Sequence, residues 1–308
     1  MAASPEFAWQ NGRIVPWAEA QVHVFSPAVK YGVGVFEGIR GYWNPRANEM
    51  FVFRLKEHLD RLAFSMRVMR FDDPPSFQVL EEATLATLRA NAFRQNVHIR
   101  LSVYLDGEGE QGATGPVGVA CNAVAREEPK RITDGVTAGV VSWRRPEDAS
   151  MPMRVKAHAN YHNGRLATLE ARANGFGAAV ILNARGKVAE APGACLFLIK
   201  DGVAITPSVT SDILESITRA TLMQLLADEL GVKVVERDVD RSELYAAEEA
   251  FFCGTGWEIT PVTAFDRLAV GSGTVGPITA RLRQAYFAIV QGDSNAHADW
   301  RTPVFAAR

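Results

Sequence analysis

Hydrophobic residues recur along this chain at two different spacings. Leu55, Leu59, Leu62, Met66 and Met69 fall at alternating steps of four and three, which lines them up on one stripe of an amphipathic helix. From 97 to 104 the step becomes two. Val97, Ile99, Leu101 and Val103 point one way and His98, Arg100, Ser102 and Tyr104 the other, so this run predicts a strand with one core face and one polar face. Near the start, Asn11-Gly12 stands between Trp9-Gln10 and Arg13-Ile14 and predicts a two-residue hairpin, because both residues accept the positive φ of a type I′ turn. Later, strand-like runs at 136–141, 178–182, 195–199 and 232–236 alternate with helix-like runs at 165–173, 217–230 and 278–290.

Together these elements predict a mixed α/β (α+β) protein. Its 308 residues, 47% hydrophobic and 22% charged, suit two domains. The charged, proline-interrupted stretch Arg126-Glu127-Glu128-Pro129-Lys130-Arg131 marks the connection. The expected division is a smaller domain over 1–125, a connection over 126–135 and a larger domain over 136–308, with the cleft between them as the default site. A net charge of −2 without a basic block argues against nucleic acid and for a small-molecule partner. No leader-like start and no long apolar run occur, so a cytoplasmic protein away from membranes is expected. Cys121, Cys195 and Cys253 lie far apart, which fits core cysteines better than a disulfide framework or metal cage, and no metal is expected.

The candidate chemistry starts with a motif that fails. Gly107-Glu108-Gly109-Glu110-Gln111-Gly112 satisfies the dinucleotide fingerprint, yet Ala113-Thr114-Gly115-Pro116 is a poor helix start and the two glutamates would repel a pyrophosphate. A flexible loop is expected there. Among only seven lysines, Lys156 has small neighbours in Ala157-His158-Ala159, leaving room for a planar ring. Glu190 ends a short strand beside Ala191-Pro192-Gly193, and Ser216-Ile217-Thr218-Arg219 opens a helix whose first N–H groups could hold an anion. Thr255 lies between glycines in Gly254-Thr255-Gly256-Trp257, where backbone can approach a ligand closely.

These residues resemble the fold-type IV pyridoxal-phosphate enzymes, and among them the branched-chain amino-acid aminotransferases, from the Asn-Gly hairpin to about Gln291. Tyr31-Gly32-Val33-Gly34-Val35-Phe36-Glu37-Gly38-Ile39-Arg40 resembles the family's N-terminal signature, and Phe53-Arg54 with Glu57-His58-Leu59-Asp60-Arg61-Leu62 resembles its phosphate-arginine helix. The resemblance implies two domains with the active site at their interface, and pyridoxal 5'-phosphate held as a Schiff base on Lys156, carried by the larger domain. It makes Glu190 the partner of the pyridine nitrogen and Tyr161 a neighbour of the ring oxygen. Arg61, Ile217, Thr218 and Thr255 become the phosphate cup. Tyr31, Phe36, Gly38, Arg40, His98, Arg100, Gly256 and Trp257 surround the substrate, with Arg100 on the distal carboxylate of glutamate. A homodimer is implied, the 107–115 loop of one subunit closing the site of its neighbour.

The chemistry is consistent with those roles. An amine must be neutral to attack a carbonyl carbon, and a carboxylate on the ring nitrogen keeps it protonated so that the ring draws electrons from the substrate α-carbon. An arginine fork suits a phosphate. Several positions depart from the family pattern: His98 replaces a usual tyrosine, Glu215-Ser216 a proline-glycine pair, Ala157-His158-Ala159 a glycine-rich run and Trp257 a small residue. The stretch after Glu190, Ala191-Pro192-Gly193-Ala194-Cys195, departs as well, and the 126–131 connection lacks the usual aromatics. The expected reaction is transamination between an apolar, branched-chain-type L-amino acid and 2-oxoglutarate. The alternatives are a transaminase of the same fold acting on D-amino acids or R-configured amines, a lyase, a nucleotide-binding reductase and a non-catalytic homologue.

Overall fold

Asn11 and Gly12 adopt positive φ (46° and 93°) and join β1 (Phe7–Gln10) to β2 (Arg13–Pro16) with Gln10 opposite Arg13, the hairpin that the Asn-Gly pair predicts. The computed structural model describes residues 5–127 and 129–306, so Glu128 of the expected connection lies outside the described residues. Two compact units result. One takes the chain through Glu127, returns for Val155–Ala159 and again from Ala288; the other holds the stretch up to Arg154 and Asn160–Phe287. Lys156, expected with residues 136–308, groups with the first unit because its segment pairs with a strand there. Within the connection, α4 (Lys130–Asp134) groups with the second unit.

In the first unit, α1 (Pro27–Tyr31), β3 (Gly34–Asn44), β4 (Glu49–Phe53), α2 (Leu55–Val68), α3 (Phe77–Asn91), β5 (Val97–Leu105) and β6 (Val117–Ala125) follow in order. The strands join in a seven-stranded sheet whose centre runs β4-β3-β5-β6-β1-β2, with Arg301–Pro303 on the outer edge of β4. Helices α2 and α3 cover one face. Leu55, Leu59, Leu62 and Met66 of the predicted stripe are buried there against Val35, Ile39, Val97, Ile99, Leu101 and Val103. The opposite face carries Phe36, Gly38 and Arg40 from β3, paired with Ser102, Arg100 and His98 from β5. Tyr104 lies on the same face, opposite Gly34, and is buried.

Along β3, the pairing with β4 covers Gly41–Asn44, so the first residues of β3 accept another partner on that side. Val155–Ala159 takes the position. Phe36 N donates to Lys156 O (3.0 Å), His158 N donates to Gly34 O (2.9 Å), and Val35 bridges Ala157.

The second unit carries β7 (Val136–Arg144), α5 (Tyr161–Ala173), β8 (Ala178–Leu182), β9 (Val188–Glu190), β10 (Cys195–Lys200), β11 (Val203–Thr206), α6 (Ile217–Asp228), β12 (Val234–Glu236), β13 (Glu249–Gly254), β14 (Glu258–Phe265), β15 (Leu268–Ala269) and α7 (Pro277–Val290), whose last turn is grouped with the first unit. Its sheet runs β12-β11-β10-β13-β14-β7-β8-β9. The run expected at 232–236 becomes a strand only from Val234, and the helix expected at 165 starts four residues earlier, at Tyr161. Gly164 explains the earlier start: a Cβ there would lie 3.1 Å from the Pro192 carbonyl oxygen, so the glycine permits close packing. Cys121, Cys195 and Cys253 are all buried, and among the described residues no helix is long and apolar enough to cross a membrane.

Candidate active site

The first unit gathers Lys156, Phe36, Gly38, Arg40, His98 and Arg100. The short pairing with β3 fixes the Lys156 backbone, and its N–H donates to Ser65 Oγ on α2 (3.2 Å). Its Nζ lies 5.0 Å from the centroid of the Phe36 ring, with the Arg100 guanidinium carbon 3.2 Å from the same centroid and His158 tilted against it at 5.2 Å. Gly38 keeps this face open, because a Cβ would meet His98 Cε1 at 3.2 Å. Burial, then the charges of Arg40, Arg126, Arg100 and Lys156, push the His98 imidazole down to about 3. Burial and Arg100 take His158 to about 4. Both rings are therefore neutral at neutral pH, and this face presents arginine and lysine as its cations.

Arg61 comes from α2 beneath the same sheet. Its Nε and Nη2 donate to the two oxygens of Glu37 at 2.8 and 2.7 Å, while His58 Nδ1 meets Glu37 Oε2 at 2.7 Å. Glu37 shares the core-facing parity of Val35 and Ile39 and is fully buried. Burial alone would raise its carboxyl, but Arg61 and then His58 prevail and hold it at about 2. Burial pushes His58 down. Tyr31 stands apart from this group. Its hydroxyl donates to Glu110 Oε2 (3.4 Å), and Lys30 Nζ donates to Gly109 O (2.8 Å), so Tyr31 is tied to the 107–115 loop, which forms neither helix nor strand.

The second unit gathers the other predicted residues. Glu190 ends β9 and is buried, and the turn after it, closed by an Ala191–Ala194 bridge, packs on the β13–β14 hairpin: a Cβ on Gly254 would lie 3.1 Å from Gly193 O. Thr255-Gly256-Trp257 is the three-residue turn of that hairpin, with Glu258 at φ 49° after it, a geometry that type I turns reach by adding one left-handed residue. The Trp257 ring meets Phe252 edge-on at 5.6 Å and the Arg131 guanidinium at 5.0 Å, while Arg131 Nη2 donates to Gly256 O at 2.7 Å. Ser216 caps α6, its side chain accepting from Arg219 N. Ile217 and Thr218 occupy the first turn, where N–H groups have no intrahelical acceptor. Leu214 N, just upstream, donates to Glu190 Oε1 at 3.3 Å. A cavity of about 450 Å³ runs along α5, lined by Tyr161, Gly164, Thr168, Gly193 and Trp257 among others.

Four residues without a role in the sequence reading become visible. Glu37 and His58 hold Arg61. Arg145 Nη2 donates to Glu190 Oε1 at 2.8 Å, both side chains being buried, and Arg145 Nη1 donates to Asn163 Oδ1 at 3.0 Å. The parity of Glu37 signals a buried acid in need of a cation. Nothing local signals Arg145 or Asn163.

This donor set fits a phosphorylated aromatic cofactor. A guanidinium and the start of a helix are anion-binding groups, a buried carboxylate suits a ring cation, and a lysine amine can attach covalently to a carbonyl. The fold and these groups define an aminotransferase, and comparison with known proteins agrees. The model of the amino-transferase class IV family matches residues 34–265. A probable branched-chain-amino-acid aminotransferase of Aquifex aeolicus is 39% identical, over 98% of both chains. Among solved structures, the branched-chain amino acid aminotransferase of Thermobaculum terrenum in its PLP (holo) form superposes with a TM-score of 0.91 at 40% identity, covering 98% of this chain and 99% of that one. The branched-chain aminotransferase of Thermoproteus uzoniensis with norvaline gives 0.93 at 40% identity, covering 98% and 100%. The chain belongs to the class IV amino-transferase family, and its likeness to the branched-chain aminotransferases runs along its full length.

Proposed function

We propose that this chain is a pyridoxal-phosphate-dependent transaminase that moves the amino group of a branched-chain-type L-amino acid to 2-oxoglutarate. The observation that carries the reading is the attachment of the Lys156 segment to β3, which brings Nζ to 5.0 Å from the Phe36 ring on the face that also bears Arg40 and Arg100. The full-length likeness to branched-chain aminotransferases supports it over the alternative of D-amino acids or R-configured amines.

When bound, pyridoxal phosphate supplies a carbonyl for attachment and an electron-withdrawing ring. Arg61, the N–H groups of Ile217 and Thr218, and Thr255 would hold the phosphate. Tyr161 would face the ring oxygen, and Glu190 would keep the ring nitrogen protonated. Lys156 Nζ would carry the cofactor and, once released, take the proton from the substrate α-carbon. Arg100 binds the distal carboxylate of glutamate with Arg40 beside it. Phe36, Gly38, His98, Gly256 and Trp257 shape the apolar side of the substrate site. The protein acts in the cytoplasm as a homodimer. Tyr31 and the 107–115 loop, tied to each other, reach the neighbour's site, and the exposed Trp17, Val24, Phe25 and Val29 supply apolar surface for the contact.

Half-reactions test this. L-leucine, L-glutamate, D-alanine and R-1-phenylethylamine are added separately to purified protein and loss of the visible cofactor band is followed. The two L-amino acids are expected to discharge the band, and Lys156→Ala to lack both band and turnover. Discharge by D-alanine or the R-amine alone would overturn the substrate assignment. A Lys156→Ala protein with normal turnover would overturn the mechanism.

A further inference from the structure

Glu190 and its surroundings differ from an ordinary buried ion pair. A guanidinium and a carboxylate can meet fork to fork, two N–H groups on two oxygens. Arg145 Nη2 donates to Glu190 Oε1 at 2.8 Å and, at 3.2 Å, to the Ala191 carbonyl just beyond it. Its Nη1 donates to Asn163 on the first turn of α5, and Asn163 Nδ2 donates back to the Arg144 carbonyl at 2.9 Å. The Arg145 N–H donates to Leu182 O on β8. Its Nε is buried without a hydrogen-bond partner, a cost that an arrangement selected for stability alone would avoid.

Each end of this network leads to a different part of the cofactor site. Asn163 lies two residues from Tyr161, assigned to the ring oxygen. Glu190 is assigned to the ring nitrogen. Its Oε1 also accepts from Leu214 N on the approach to α6, which is assigned to the phosphate. The Cys195 thiol donates to Glu190 Oε2 at 3.8 Å.

We propose that Arg145 is a positioning residue for the transamination: its contact with Oε1 fixes the orientation of the Glu190 carboxylate toward the pyridine nitrogen, and through Asn163 it holds the Tyr161 helix in register with that carboxylate. The inference rests on the reading of Glu190 as the ring-nitrogen partner. A guanidinium does not lose its proton in proteins, so Arg145 also favours the ionised form of Glu190 and leaves the shared proton on the ring.

The test uses the full-length protein stripped of cofactor and titrated with pyridoxal phosphate, comparing Arg145→Met, Arg145→Lys and Asn163→Ala. With Arg145→Met the visible band still forms, because Lys156 and the phosphate groups are untouched, but the dissociation constant rises about tenfold and the L-leucine half-reaction slows about a hundredfold at saturating cofactor. Nitrogen NMR of isotope-labelled pyridoxal phosphate shows the ring losing proton occupancy. Arg145→Lys restores protonation and most of the rate. Asn163→Ala gives the same shift at smaller size, and carries the test if Arg145→Met does not fold. Unchanged ring protonation in Arg145→Met, or in Asn163→Ala if it stands alone, overturns the proposal, as does an Arg145→Lys protein no better than Arg145→Met. If the wild type binds no pyridoxal phosphate, the functional reading falls with it, whereas a wild type that binds normally confines any failure to Arg145.

Discussion

Each unit contains a buried carboxylate held by an arginine, and the two pairs work in opposite directions. Glu37 meets Arg61 fork to fork and takes His58 as well, using both oxygens within the protein. Glu190 meets Arg145 through one oxygen, and that guanidinium divides its contacts among Glu190, Ala191 and Asn163. In the first pair the acid orients the arginine, which is the group assigned to the ligand. In the second the arginine orients the acid. Under the roles proposed above, the same two residue types would prepare an anion-binding group in one unit and a cation-binding group in the other, through contacts of different denticity.

Substitutions of the two acids sharpen the contrast. Glu37→Gln removes the counter-charge of the half-buried Arg61 and should lower folding stability by about 2 kcal/mol, read by denaturant titration of the cofactor-free protein. Its pyridoxal-phosphate affinity falls, but the half-reaction rate recovers at saturating cofactor, because the damage is to binding. Glu190→Gln should slow the L-leucine half-reaction about a hundredfold, or about 3 kcal/mol, and saturation should not restore it. If cofactor rescues both variants equally, the distinction fails.

Acid separates the pairs from their surroundings. Glu37 stays ionised down to about pH 2, so this pair survives between pH 6.5 and 4.5. Its depressed carboxyl gives stability that is present above 4.5 and lost only as pH falls toward 2. His98, lowered from 6.5 to about 3, behaves differently. Below pH 6.5 the unfolded chain takes up a proton there that the folded chain refuses, so stability drains away as pH falls toward 3. Between pH 6.5 and 4.5 wild type should lose on the order of 2 kcal/mol more than His98→Gln, measured by denaturant titration at each pH. Parallel profiles would mean that His98 takes its proton without penalty in the folded protein.

The features legible in the sequence are those set by neighbours along the chain. The α2 stripe, the two faces of β5, the Asn-Gly hairpin, Glu190 at a strand end and Ser216 at a helix start all follow from spacing or from one residue's backbone preference. The start of α5 was not legible, because Gly164 reads as a helix breaker until the Pro192 carbonyl is placed against it. Neither was the role of Arg145, which lies 45 residues from Glu190 and meets it only because β8, β9 and α5 assemble around both. Resemblance supplied the residues assigned to the ligand; their supports, Glu37, His58, Arg145 and Asn163, emerged from three-dimensional pairing.

The pairing of Val155–Ala159 with β3 limits how this polypeptide can be divided. Five residues, Lys156 among them, pair with the first residues of β3, while the chain on either side of them belongs to the other unit. A gene cut in the 126–135 connection would therefore yield a front fragment with the Gly34–Phe36 edge bare and the amine encoded elsewhere. Such halves would be expected to need co-expression, reuniting through that borrowed strand, and a protein engineer seeking a minimal scaffold would have to graft 155–159 back by circular permutation.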